Sequence, residues 1–111
     1  MKISIYKNNS DREPYTQWLN GLDKPFRERI EALVERLEDN PQIGKYLTDG
    51  ISELKLRRGA GYRVYYSVID DTAYLQGGGE KATQAKDIYA AAWNLEKLKG
   101  RLSKQAEVRS R

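Results

Sequence analysis

Apolar and polar positions alternate at the start of the chain, with Ile3 and Ile5 set between Lys2, Ser4 and Tyr6. A period of two predicts a short strand over 2–6. Asn8-Asn9-Ser10 is a turn signal, and the pattern then changes period. Tyr15, Trp18, Leu19 and Leu22 recur at i, i+3, i+4 and i+7, one face of a helix, with Pro14 in its first turn, where proline is tolerated. Gly21 and Asp23-Lys24-Pro25 interrupt it. Phe26, Ile30, Leu33, Val34 and Leu37 restore helical spacing through about residue 39, with Asp23 as the predicted N-cap. So short a connection makes the two helices an antiparallel hairpin. Asn40-Pro41 ends the second, and 40–50 reads as a loop with a turn at Asp49-Gly50.

Three strand signals follow. Residues 51–58 alternate, with Ser52, Leu54 and Leu56 on one side and Glu53, Lys55 and Arg57 on the other. Gly59-Ala60-Gly61 is a hairpin loop, and 62–69 is rich in Tyr and Val. Asp70-Asp71 turns the chain into a third strand over 72–76, and Gly77-Gly78-Gly79 releases it. A last helix is predicted from about Thr83 to Lys99, with Ile88, Ala92, Leu95 and Trp93 inward and Gly100 as its stop. The expected order is β-α-α-β-β-β-α, an α+β two-layer domain. Its antiparallel-rich sheet carries the helices on one face and leaves the second face partly open.

Strand alternation then decides what the open face carries. If Leu54 and Leu56 face the core with Val64, Tyr66 and Val68, then Lys55, Arg57, Arg63 and Tyr65 share the other side, with Arg58 near the hairpin tip. Cations interleaved with an aromatic ring suit a phosphate backbone with unstacked bases. The same groups suit metal-free RNA cleavage by a ribose 2′-hydroxyl. Arg would stabilise the charged phosphorane, and a Lys with a lowered pKa would move protons. Charged alternation is equally the mark of an ordinary solvated strand face, or of a docking surface for an acidic protein.

Composition narrows the chemistry. The chain has 111 residues, no Cys and no His. These absences remove disulfides, thiolate nucleophiles, Cys- or His-ligated zinc and the Ser-His-Asp triad. No Asp/Glu cluster has metal-ligand spacing, so neither metal nor cofactor is expected. No apolar run is long enough to cross a membrane and the N-terminus lacks a signal-peptide core, so a cytoplasmic protein without membrane contact is expected. The net charge of +4 belongs to the C-terminus. Residues 1–98 hold 15 basic and 15 acidic side chains, whereas 99–111 hold five basic and one acidic. The segment 51–66 is locally +3, from Lys55, Arg57, Arg58 and Arg63 against Glu53. Residues 1–99 are expected as the domain and 100–111 as a basic, mobile tail. Gly77-Gly78-Gly79 lacks the phosphate-loop signature and reads as a strand-to-helix turn, while Trp18 and Trp93 read as core or partner contacts.

The run Gly50-Ile51-Ser52-Glu53-Leu54-Lys55-Leu56-Arg57, the Gly-Ala-Gly-Tyr-Arg-Val-Tyr-Tyr of 59–66, the glycines before Glu80-Lys81, and Gln84 with Asp87-Ile88 together resemble the RelE/ParE toxin superfamily. Within it they are most similar to the HigB-type addiction module killer proteins. The resemblance covers about residues 1–99 and implies a RelE-like fold. It also implies the toxin of a type II toxin–antitoxin system, neutralised by a cognate helix-turn-helix antitoxin and reaching operator DNA only through it. RelE-like and HigB-like members cleave mRNA on the ribosome, whereas ParE-like members inhibit DNA gyrase; a third possibility is a non-catalytic corepressor partner of the antitoxin. For an mRNA endonuclease the resemblance implies Lys55, Arg63 and Lys81 as catalytic residues, and Arg57, Arg58, Tyr65 and Tyr89 are expected to hold RNA. Glu53 departs from the RelE pattern, which prefers Lys there, and the absent His departs from the HigB nucleases.

Overall fold

The computed structural model describes residues 1–109. Strand β1 (Lys2–Ile5) precedes helices α1 (Pro14–Asn20) and α2 (Lys24–Asp39). Strands β2 (Lys45–Thr48), β3 (Ile51–Lys55), β4 (Arg63–Ile69) and β5 (Thr72–Gly79) follow, and helix α3 (Gln84–Arg109) ends the chain. Short 3₁₀ turns at Pro41–Ile43 and Lys81–Thr83 lead into β2 and α3. The sheet order is β1-β5-β4-β3-β2. β1 runs parallel to β5 and every other neighbouring pair is antiparallel. This is the expected mixed α+β, RelE-like architecture with one further strand.

Local chemistry explains the boundaries. Asn8 Oδ1 accepts hydrogen bonds from the amides of Ser10 and Arg12, closing the turn after β1. Pro14 and Pro25 occupy the first turns of α1 and α2, and Asp23 is the N-cap residue of α2. The additional strand, β2, lies inside the segment expected as loop. Only Leu47 of its four residues is partly buried, so it is too short and too polar to show alternation. Its hairpin with β3 turns at Asp49-Gly50, both with positive φ (51° and 80°), as a tight primed turn requires.

The layer arrangement differs from expectation, because helices cover both faces. On one face α1 and α2 enclose Leu54, Val64, Tyr66, Ala73 and Leu75. On the other, Ala91 and Leu95 of α3 pack on Ile51 and Tyr65. Tyrosine is the reason the period misleads: Tyr65 falls in the polar set by alternation, yet its ring buries as well as that of Tyr66. Val68, expected in the core, is 46% exposed; it lies past the last β3–β4 pair, Ser52 with Tyr66, while its neighbour Ser67 is buried.

Two further boundaries move. Gly77–Gly79 belong to β5 rather than to a turn, paired with Tyr65, Val64 and Arg63. A bulge leaves Gln76 without a partner on β4 between the Tyr66–Leu75 and Tyr65–Gly77 pairs. α3 does not stop at Gly100 but continues to Arg109, a glycine inside a long helix being a penalty of only about 1 kcal/mol. Arg101 anchors the extension, donating to the Lys7 carbonyl (2.8 Å) and to Asn9 Oδ1 (3.0 Å). Residues 110 and 111 of the expected tail lie outside the described residues.

Candidate functional site

The β3–β4 hairpin places Lys55 opposite Arg63 and Glu53 opposite Tyr65, while β5 sets Gly79 on the far side of Arg63. The glycine matters here. A Cβ at Gly79 would collide with the Asp87 carboxylate, which accepts a 2.5 Å hydrogen bond from Thr83 Oγ1. The strand can therefore receive the first turn of α3 directly above it. Thr83 and Glu80 form a reciprocal capping box at the 3₁₀ turn, fixing that approach.

Under this cover lies an ion pair. Glu53 and Arg63 are 4% and 6% exposed, with Arg63 Nε 3.3 Å from Glu53 Oε2. The contact is one of charge rather than an aligned hydrogen bond. Arg63 Nη1 donates to the Gly61 carbonyl at 2.7 Å, and Gln84 Nε2 reaches Glu53 Oε2 at 3.5 Å. Lys55 Nζ stands 3.9 Å from Glu53 Oε1 with its side chain 41% exposed, so one carboxylate faces two cations. Burial pushes the Tyr65 phenol up to about 12, with Asp87 and Glu53 adding to the rise and Arg63 opposing it.

Of the three residues expected as catalytic, Arg63 and Lys81 come together beside the 59–61 turn, while Lys55 stands across from Arg63 on β3. The amide of exposed Lys81 approaches the Ala60 carbonyl at 3.4 Å, and both Arg63 Nη1 and the Lys81 side chain adjoin Gly61. The residues expected to hold RNA do not join them as a group. Arg57 is exposed beyond β3. Arg58 lines a groove with Arg29, Arg36, Leu33 and Leu56 on the α2 side. Tyr65 is fully buried, a correction of the open-face expectation, because α3 lies on that face. Tyr89 is exposed on the outer side of α3 beside Trp93, which points outward rather than inward. Trp18 is a packing residue, set on Gly78 and edge-on to Tyr62. The pairing of Glu53 with Arg63 went unforeseen, although opposite charges on adjoining strands of one short hairpin were its signal.

Among the described residues no group of three or more His, Cys, Asp or Glu could hold a metal ion. None of the helices there is long and apolar enough to cross a membrane.

Comparison with known proteins gives the class. The family model for the ParE toxin of type II toxin–antitoxin systems (parDE) matches residues 12–75, more than half of the chain. The chain belongs to this family, within the RelE/ParE toxin superfamily, and is the toxin of a type II toxin–antitoxin system. An uncharacterized protein of Haemophilus influenzae (strain Rd) is 38% identical over 80 residues, covering 69% of this chain and 81% of that protein. No solved structure matches.

Proposed function

We propose that this toxin acts in the cytoplasm by binding a protein target, as a DNA gyrase inhibitor does, and is held in check by a cognate helix-turn-helix antitoxin. The observation that carries this reading is the state of Arg63. An RNA-cleaving site would aim that guanidinium at a phosphorane. Here it is buried, neutralised by Glu53 and turned toward the chain's own Gly61 carbonyl. Tyr65 offers no ring for a base to stack on. Meanwhile α3 displays Tyr89 and Trp93, 73% and 58% exposed, one turn apart; large amphipathic rings of this kind anchor protein interfaces.

A ribosome-dependent mRNA endonuclease is the second reading, favoured by the exposed Lys55 across from Arg63 and the exposed Lys81 beside Gly61. Induced expression separates the two. The first reading expects gyrase supercoiling activity to fall with purified toxin, an SOS response in cells and intact mRNA. It also expects Trp93→Ala to relieve the inhibition while the fold is kept. Codon-linked mRNA ends that disappear with Lys55→Ala or Lys81→Ala, without SOS induction, would replace it with the endonuclease. Growth unchanged on induction would leave the corepressor role, in which the chain meets operator DNA only through its antitoxin.

A further inference from the structure

Helix α2 carries opposite charges on its two flanks. Toward β1, Glu31, Glu35 and Glu38 line an open trough of about 440 Å³. Toward the end of β3, Arg29, Arg36 and Arg58 share a groove of about 300 Å³ with Ala32, Leu33 and Leu56. The three arginines are exposed, and none makes an ion pair among the described residues. Packing holds the groove in shape. Gly59, with a φ of 62°, admits the Phe26 ring, which also lies edge-on to Tyr62 at 5.0 Å. That contact ties the hairpin tip, and Arg58 with it, to the first turn of α2. Arg29 stands over the same ring, 6.0 Å from its centroid. Arg36 follows two helical turns later, about 10.5 Å along the axis.

The chemistry of the walls selects the occupant. Every side chain there is either a guanidinium donor or apolar. A phosphodiester strand carries acceptors, and planar guanidinium forks pair with phosphate oxygens two at a time. A peptide laid there would bring N–H groups that no wall side chain could accept. The backbone is engaged as well: Leu56 gives its amide to the Tyr62 carbonyl, and the Arg58 carbonyl receives the Gly61 amide. The apolar lining offers nothing to a ribose 2′-hydroxyl but suits the carbons of deoxyribose. The carboxylates on the opposite flank repel the same polymer, so α2 can approach it from one side only. Three phosphate contacts hold free DNA weakly, so the groove serves a toxin already anchored on an enzyme that holds DNA. From the gyrase reading, on which this step rests, we propose that Arg29, Arg36 and Arg58 grip the backbone of the duplex DNA that gyrase holds. The toxin thereby binds the enzyme–DNA complex in preference to the enzyme alone.

The test titrates the full chain into purified gyrase, alone and with a bound DNA duplex. Affinity should be roughly tenfold higher with DNA. Arg29→Gln/Arg36→Gln/Arg58→Gln should remove that gain and leave binding to DNA-free gyrase unchanged; all three positions are exposed, so the fold is kept. The same variant should make the fall of log affinity with log salt shallower by about 2.7, the share of three phosphate contacts. Lys7→Gln/Arg12→Gln/Lys104→Gln removes as many exposed charges elsewhere and should change neither quantity. Equal affinity with and without DNA, or a gain that survives the arginine substitutions, would overturn the groove's role while leaving the gyrase reading intact. Polyglutamate competing as well as DNA of equal charge would assign the groove to an acidic protein and overturn the proposal. Failure to bind gyrase in either form would overturn both.

Discussion

Two carboxylate-bearing regions of this domain differ in what answers their charge. Glu53 is inside, faced by Arg63 at 3.3 Å and Lys55 at 3.9 Å, with Gln84 at its edge and α3 overhead. Glu31, Glu35 and Glu38 stand along an open trough, and among the described residues none of their carboxylates is ion-paired. A buried charge must be paired within its own chain, because removing water from it costs several kcal/mol. An exposed charge bears no such obligation and is free to meet a partner. The basic stripe at 51–66 therefore contributes to the fold through Arg63 and Lys55.

The largest effect should come from breaking the closed region. Arg63→Ala leaves Glu53 buried with only Lys55 nearby, and should lower unfolding free energy by about 3 to 5 kcal/mol, measured by urea denaturation. Glu53→Leu/Arg63→Met, which removes both charges, should regain most of that loss. An Arg63→Ala protein as stable as the parent but inactive would instead make this residue functional and return weight to RNA cleavage.

Next in size is an alkaline effect. Tyr65 and Tyr15 both keep their protons to about pH 12, whereas an unfolded chain loses them near 10. Raised phenol values stabilise the folded state fully below pH 10, and that contribution drains away between pH 10 and 12 as the unfolded chain ionises first. A loss on the order of 2 kcal/mol for each tyrosine is expected across that interval. Tyr65→Phe should reduce it without lowering stability at neutral pH, because the Tyr65 hydroxyl has no partner to lose.

These contrasts show which features could be read from residues alone. The helical hairpin, the strand at 2–6 and the 51–69 hairpin were legible because apolar spacing, Pro14, Pro25 and the 59–61 glycines all agree locally. The pairing of Lys55 with Arg63 was legible because they stand on either arm of the same short hairpin. The cover by α3 was not, since it depends on Tyr65 behaving as core and on Gly79 admitting Asp87, neither of which has a period. The continuation of α3 beyond Gly100 depends on Arg101 finding Lys7 and Asn9, more than ninety residues earlier.

The glycine run on β5 sharpens the comparison at a smaller scale. Gly78 lies beneath the Trp18 ring, so Gly78→Ala must displace packed aromatic atoms and should cost about 1 to 3 kcal/mol. Gly77 has nothing within 4 Å of where its side chain would stand. Gly77→Ala should leave thermal stability unchanged or raise it by about 0.4 to 1 kcal/mol through the unfolded chain's lost freedom. Equal losses at both positions would mean that the strand, not Trp18, sets the requirement.

The smallest effect on stability should be the most telling for the open region. Glu31→Gln removes an exposed, unpaired charge and should change unfolding free energy by less than about 0.5 kcal/mol. Yet the same substitution should lower the Tyr15 titration midpoint, followed by phenolate absorbance, because Glu31 is the charge that adds to what burial does there. Glu96→Gln, whose carboxylate lies 3.8 Å from Lys99 on exposed α3, should move neither quantity. A Tyr15 midpoint indifferent to Glu31 would mean that water screens the trough fully, and the acidic row would then exert no field on the phenol beneath it.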